Sequence, residues 1–305
     1  MTKAHAPDRE RAHMGAGDAF DDGDVHAYYT GKTADIVRKY GPGPRIHFHL
    51  GLFDLHQQPR NYASPTPVRR RLVDSQEEML RHIARRWGVG QTPPTRLLDV
   101  GCGLGGGALY WAQEHDIRVT AVTNIAEHVP VIRNLARHVG VSDMVTTLHT
   151  DIHVLDTPPL HDAAVALESS GYMDRDRLFR AVAASLRPEG WFGIEEHFLV
   201  DASWGPFIDD YYKTHLGTVS EYTRAAEAAG FVLEHDEDLT DRVAEFWVQS
   251  MAWSTMELDD PGPHTPRERL TSSALAHGKF FRAWRAHAVE TRLLLFRLRT
   301  RRTRG

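Results

Sequence analysis

The sequence predicts an α/β protein, a doubly wound and mostly parallel seven-stranded sheet with an N-terminal helical cap and an inserted lid. Three observations carry that expectation. Short apolar runs alternate with helical segments between residues 96 and 251, the pattern of parallel strands joined by crossover helices. A glycine-rich turn directly follows the first of those runs, and an aromatic-rich stretch at 201–217 interrupts the rhythm.

Residues 1–24 are rich in Gly, Ala and Asp without apolar periodicity and are expected to form a flexible leader. Residues 25–90 are expected to form the cap. One helix should run from Tyr28 to Tyr40, stopped by Gly41-Pro42-Gly43-Pro44, and a second from Pro67 to Trp87. The core then spans 91–253. Its expected strands are 96–100, 119–122, 145–148, 163–168, 191–200, 231–234 and 244–251, with helices near 109–114, 127–139, 175–186 and 219–229. The stretch 201–217, with Trp204, Phe207, Tyr211 and Tyr212, reads as an insertion over the sheet's edge. The C-terminal segment 254–305 should hold a long amphipathic helix from about Arg267 and a basic tail. From Arg292 onward the only charged residues are the arginines at 292, 297, 299, 301, 302 and 304. Such cations suit the end of a helix, so a solvated tail finishing a helix is expected. The amphipathic helix can pack on its own domain or on a second copy, which leaves a homo-oligomer open.

Composition excludes several classes. At 305 residues with 41% hydrophobic side chains, the chain can bury a substantial core, which rules out disorder as its main state. The one cysteine, Cys102, rules out an internal disulfide and a cysteine-clustered zinc site. No apolar run approaches the roughly 20 residues that cross a bilayer, and residues 1–10 lack the apolar stretch of a signal peptide. A cytoplasmic protein without membrane insertion is expected. A formal charge of −5 speaks against a nucleic-acid partner.

The turn itself reads Asp99-Val100-Gly101-Cys102-Gly103-Leu104-Gly105-Gly106. Glycines permit positive φ and let a ligand lie against backbone N–H groups. Gly101, Gly103 and Gly106 also satisfy the dinucleotide fingerprint, but no acid ends the second strand, where Val122 is followed by Thr123 and Asn124. Asp99, just before the glycines, can instead meet the cationic amino-acid part of a ligand. This segment resembles the first motif of the class I S-adenosylmethionine-dependent methyltransferases, Rossmann-like enzymes. The resemblance implies that Asp99, Gly101, Cys102 and Gly103 line the methionine end of the cofactor and that Asn124 takes the ribose position. It also implies that Asp151 and Ile152 lie where the family contacts adenine, although Asp151 reads nearly as well as a helix N-cap.

Glu168, at the carboxyl end of the fourth strand, faces the expected position of the transferred methyl. Attack by an alkene carbon makes a carbocation, which needs aromatic faces and a base. Glu168 is the candidate base. Trp204, Phe207, Tyr211, Tyr212, Phe246 and Trp247 are candidate walls, and ordinary core packing should claim at least half of them. Tyr28-Tyr29, Tyr40-Gly41 and the stretch Ile46 to Gly51 resemble the N-terminal segment that closes over the cofactor in sterol methyltransferases and in bacterial geranyl diphosphate C-methyltransferases, with Tyr28 placed at the cofactor. Glu168-Ser169 followed by Tyr172, and the stretch Tyr211 to Gly230, resemble elements of the prenyl diphosphate enzymes.

That resemblance implies methylation of a prenyl diphosphate alkene in terpene biosynthesis, geranyl diphosphate being favoured, with isopentenyl and farnesyl diphosphate next. A small-molecule O- or N-methyltransferase and a lipid-alkene methyltransferase are the alternatives. A diphosphate brings about three negative charges, usually offset by magnesium and by Arg or Lys. Arg38, Lys39, Arg45, Arg69 to Arg71 and Lys213 are candidate cations, and His47, His49 and Tyr28 candidate hydrogen-bonding partners, with Tyr172 beside the acceptor. Magnesium is expected to arrive on the diphosphate. Asp209-Asp210 offers only a weak metal pair, so no metal ligand is assigned.

Overall fold

The computed structural model describes residues 22–54, 64–259, 261 and 265–299. Two helices come first, α1 (Asp22–Tyr40) and α2 (Pro65–Arg86). Helix α2 opens on Pro65, where a missing N–H costs nothing, and buries Val68, Leu72, Met79, Leu80 and Ile83. Strands and helices then alternate: β1 (Arg96–Val100), α3 (Gly106–His115), β2 (Arg118–Thr123), α4 (His128–His138), β3 (Val145–His149), β4 (His161–Leu167), α5 (Arg175–Ser185) and β5 (Leu186–Leu199). They are followed by α6 (Gly205–Tyr212), α7 (Val219–Ala228), β6 (Phe231–Asp238), α8 (Thr240–Val243), α9 (Glu245–Met256), α10 (Arg267–Arg285) and β7 (Val289–Leu298).

The seven strands form one sheet in the order β3-β2-β1-β4-β5-β7-β6. All neighbours from β3 to β5 are parallel, and β7 runs antiparallel to both β5 and β6. Alternate residues of the buried strands feed two cores. Leu97, Val119, Ala163 and Val165 face α2, α3, α9 and α10, whereas Leu98, Val122, Ala164 and Ala166 face α5 and α7. The order reverses between β1 and β4, and open α/β sheets bind ligands at the carboxyl ends of strands at such a point. Asp99 pairs with Val165 across that junction, so the turn after β1 lies beside the residues that follow β4.

Three expectations need correction. Residues 244–251 are not the seventh strand; they lie in helix α9 and the residue before it, enclosed between α2 and α10. A short run of aromatic and branched residues fits a buried helix as well as a buried strand. The seventh strand is β7, so the C-terminal segment inserts into the sheet rather than ending in a helical, solvated tail. Arg292 meets Asp236 at 2.7 Å and Glu290 at 2.7 Å, and Arg297 meets Glu234 at 3.1 Å. The arginines at 301, 302 and 304, and residues 1–21 of the expected leader, lie outside the described residues. Finally, the insertion does not cover a sheet edge, because β5, which precedes it, is interior. Its helix α6 packs on α10.

Phe280 of α10 is the hub of that packing. Its ring lies 5.1 Å from Phe207, 5.0 Å from Tyr211, 5.4 Å from Tyr212 and 4.7 Å from Trp247, centroid to centroid, and is fully buried. Phe280→Ala should therefore cost about 3–5 kcal/mol of unfolding free energy. Urea denaturation measures this, and a loss below about 1 kcal/mol would mean that α6 and α10 do not share a core.

Candidate active site

Two cavities meet at the carboxyl ends of β1 and β4. The first is lined by the turn after β1, by Asn124 after β2, by Asp151 and Ile152 after β3, and by Glu168 after β4. The strap from Ile46 to His49 covers it. Gly101, at φ 67°, could not carry a side chain, because a Cβ there would stand 2.6 Å from the Ser169 Cβ. At Gly106 a Cβ would meet His47 Nδ1 at 2.5 Å, so this glycine lets the strap lie on the start of α3.

Asp99 is 2% exposed, and its Oδ2 has no hydrogen-bond partner. Burial pushes its carboxyl up to about 7, partly offset by a backbone hydrogen bond at Ala108. An enclosed carboxylate with a bare oxygen fits a ligand that brings an ammonium group. Asp151 Oδ1 accepts from the His153 N–H at 2.9 Å, capping a short 3-10 helix, and the carboxylate also lies on the cavity wall. The hydrogen bond with His153 holds it below the usual carboxylate range, so it is an anion that can accept. The Cys102 thiol lines the same cavity, and burial pushes it well above its ordinary value, which keeps it an unreactive thiol. These residues fit S-adenosylmethionine: a carboxylate for the amine, Asn124 for ribose hydroxyls and the Asp151-Ile152 edge for a base.

The second cavity lies behind Glu168 and is walled by Tyr28, Tyr40, Tyr172, Tyr211, Tyr212 and Trp247, with Phe246 beside them. Lys32, Arg38 and Lys39 of α1 and Arg269 of α10 also line it, facing Asp35 and Glu257. Arg38 pairs with Glu257 at 2.7 Å. Burial, aided by Lys32 and Arg38, lowers Lys39 to about 8, although Glu257 opposes the shift. Thr265 Oγ1 and His277 Nδ1 are buried on this wall without partners. Glu168 belongs to both cavities and adopts φ 46°, a left-handed conformation that is uncommon for a side-chain-bearing residue and collects at functional sites. The Leu50 N–H donates to its Oε1, and His197 Nε2 lies 3.4 Å from its Oε2.

Several expected site residues lie elsewhere. Tyr28 turns into the second cavity, not to the cofactor cavity. Its neighbour Tyr29, about 100° further round the helix, lines both and donates to the Tyr172 hydroxyl at 2.9 Å. Trp204 and Phe207 line neither cavity and belong to the packing under α6. Arg45 lies outside both cavities, held by Glu77 at 2.8 Å and Glu114 at 2.8 Å. His47 lines the first cavity rather than the acceptor side, with Nε2 2.7 Å from Glu77 Oε1. Burial alone would raise Glu77, but His47 and Arg45 outweigh it and bring the carboxyl to about 2. His49 lines both cavities as a neutral ring, because burial and then His47 depress it to about 4. Its Nδ1 faces the Leu50 carbonyl at 2.8 Å and so carries the hydrogen, which leaves Nε2 an acceptor unable to donate to a phosphate oxygen. Asp209 is occupied by Thr214 and Leu216, Asp210 pairs with Lys213, and neither acid lines a cavity. Arg69, Arg70 and Arg71 do not either.

The sequence reading missed Lys32, Arg269, Glu196 and His197. The last two sit in the run Glu195-Glu196-His197 near the carboxyl end of β5, next to β4, and three polar residues within the buried stretch from Gly190 to Phe198 are the signal that points to them. Burial disfavours the His197 imidazolium, but the Glu168 and Glu196 carboxylates prevail and raise its pKa. Among the described residues, Asp238, His287 and Glu290 are the group able to converge on a metal, and they lie outside both cavities, with Glu290 bound to Arg292 at 2.7 Å.

A family model described as mycolic acid cyclopropane synthetase matches residues 63–251. A sterol 24-C-methyltransferase from Aspergillus fumigatus is 26% identical over 204 residues, covering 62% of this chain and 53% of that protein. The chain thus spans about half the length of such curated relatives. A geranyl diphosphate C-methyltransferase from Streptomyces coelicolor A3(2), solved with Mg2+, geranyl-S-thiolodiphosphate and S-adenosyl-L-homocysteine, superposes with a TM-score of 0.75 at 20% identity, covering 90% of this chain and 96% of that one. A cyclopropane synthase from Mycobacterium tuberculosis superposes with a TM-score of 0.75 at 14% identity, covering 90% and 97%. No described helix is long and apolar enough to cross a membrane.

Proposed function

Since the chain belongs to the mycolic acid cyclopropane synthetase family of class I S-adenosylmethionine-dependent methyltransferases, we propose that it adds a methyl group to an alkene carbon of a prenyl diphosphate, with geranyl diphosphate as the favoured acceptor. The observation that carries this reading is the second cavity, where one aromatic-walled space joins Glu168 to a wall bearing Lys32, Arg38, Lys39 and Arg269.

Bound S-adenosylmethionine supplies an electrophilic methyl group. Asp99 holds its amine, Asn124 its ribose and the Asp151-Ile152 edge its adenine, while the strap over Gly106 keeps water out. The alkene π pair forms the new carbon–carbon bond as the methyl–sulfur bond breaks with its electron pair going to sulfur, so that S-adenosylhomocysteine leaves and a tertiary cation remains on the neighbouring carbon. Tyr and Trp faces stabilise that cation. A C–H pair beside the cation then re-forms a double bond, and the proton moves to Glu168. At the diphosphate end, four cations face two carboxylates, a surplus too small for a diphosphate of about three charges. Magnesium carried by the diphosphate makes up the difference.

Enzyme incubated with methyl-labelled S-adenosylmethionine and geranyl, isopentenyl or farnesyl diphosphate, with and without magnesium, tests the reading. Label should enter a prenyl diphosphate only with magnesium, and NMR of the product should show a methyl on a double bond. The family relationship favours an unsaturated acyl chain as the second acceptor. Label confined to such a lipid, or a cyclopropane product, would replace the first reading with the second. Cofactor binding carries its own pH dependence. Asp99 must be ionised to hold the amine, and its pKa in the free protein is about 7. Affinity for S-adenosylmethionine should therefore be full above that pH and fall as the pH drops through 7, as calorimetry from pH 6 to 8 will show.

A further inference from the structure

The base does not stand alone. His197 Nδ1 lies 3.0 Å from Thr291 Oγ1, and Trp284 Nε1 donates to that same hydroxyl at 2.8 Å. Thr291 and Trp284 are fully buried, and the indole meets the His197 ring edge-on with centroids 5.1 Å apart. The Thr291 backbone N–H donates to Thr240 Oγ1 at 3.1 Å, which in turn donates to Asp238 Oδ1 at 2.5 Å. The direction of the chain follows from its end, because the Glu168 carboxylate only accepts and the His197 Nε2 facing it therefore carries a hydrogen. An indole nitrogen only donates, so the Thr291 oxygen accepts from Trp284 and keeps one hydrogen to give and one lone pair to accept with. It gives that hydrogen to Nδ1 of the neutral ring and accepts from Nδ1 of the imidazolium, so Nε2 faces Glu168 as a donor in both forms.

The geometry points to His197 as the positioning residue of the base: Trp284 and Thr291 hold its ring with Nε2 3.4 Å from Glu168 Oε2, and this donor, with the Leu50 N–H on Oε1, holds the carboxylate aimed at the junction of the two cavities. The assignment rests on the reading of Glu168 as base. In the step itself the proton goes from carbon to Glu168 and later to solvent, and His197 neither gains nor loses one. The other groups facing Glu168 cannot replace it. Burial holds Tyr29 and Tyr40 of α1, Tyr212 of α6 and Glu195 of β5 in their neutral forms. His49 of the strap presents an acceptor. Glu196 is spent on the Ser170 hydroxyl and on the N–H groups of Gly171 and His197.

The test compares wild type with His197→Leu, His197→Gln and Thr291→Val. Glu168 is titrated by carboxyl 13C NMR in cofactor-free protein, its signal assigned by its absence in Glu168→Gln, and kcat is followed against pH. His197→Leu should raise the Glu168 midpoint by about one pH unit or more. It should lower kcat at pH 7 roughly tenfold to a hundredfold, with recovery at higher pH. His197→Gln, whose amide N–H reaches the same oxygen, should restore most of the rate. Thr291→Val, which frees the ring to carry its hydrogen on Nδ1, should move the midpoint the same way by less, and it carries the test if the leucine variant does not fold. An unmoved midpoint with an equal loss at every pH and no rescue by Gln would overturn the role. If the midpoint moves but no prenyl diphosphate is methylated, the acceptor is wrong and the positioning role stands. If methylation proceeds in wild type and neither readout moves in the variants, the positioning role is wrong.

Discussion

Glu168→Gln should lower kcat for methyl transfer by about 10²–10⁴-fold at pH 7 while leaving the affinity for S-adenosylmethionine within about twofold of wild type. Glutamine has nearly the shape of glutamate and still offers an oxygen to the Leu50 N–H, so the strap and the cofactor cavity stay in place. What it lacks is basicity, and the cation formed by methyl addition then has no group to which its proton can pass. Single-turnover rates with geranyl diphosphate, together with calorimetry of cofactor binding, separate the two quantities. Turnover at the wild-type rate would remove Glu168 from the mechanism. Equal losses of rate and cofactor affinity would make it a structural residue of the strap.

Asp99→Asn should weaken S-adenosylmethionine binding by about ten- to a hundredfold, the value of a hydrogen bond to a charged group. The amide keeps an oxygen for the backbone at Ala108 but loses the charge that meets the amine. The variant should also lose the pH dependence. Wild-type affinity falls as the pH drops through about 7, whereas the asparagine variant has nothing to protonate and should bind equally across that range. A variant that retained the pH dependence would place the titrating group elsewhere. Because burial raises Asp99 before the ligand arrives, asparagine removes no ionised side chain from the protonated form, and the variant should fold as stably as wild type below pH 7.

Both residues stand at strand ends, where sequence places them. The place of Asp99 on the first cavity was legible because it is set locally, by a strand end, a carboxylate and glycines in one stretch of chain. Glu168 was legible for a similar reason, as the residue after a buried strand. The parts of the site that come from remote segments were not. Lys32 and Arg269, in different helices, reach one wall because α10 folds back over α1 and α9, and nothing in either local sequence marks them. Arg45 looked like a phosphate ligand and is instead consumed by Glu77 and Glu114, 32 and 69 positions away. Tyr28 and Tyr29 could not be told apart until α1 had an orientation.

Local periodicity and turn chemistry, by themselves, determined the alternating α/β architecture, the parallel core and the glycine turn, because those features depend on contacts within a few residues. Only the tertiary structure decided that residues 245–251 lie in a helix and that Val289–Leu298 is the reversed strand inside the sheet. It likewise decided which aromatic rings line the second cavity and that His197 Nε2 lies beside Glu168. A short apolar run has no preference strong enough to choose between helix and strand, and a ring or a cation has no direction until its element is packed. The choice falls to the surfaces each segment can bury and the partners it meets there, and those come from distant parts of the chain.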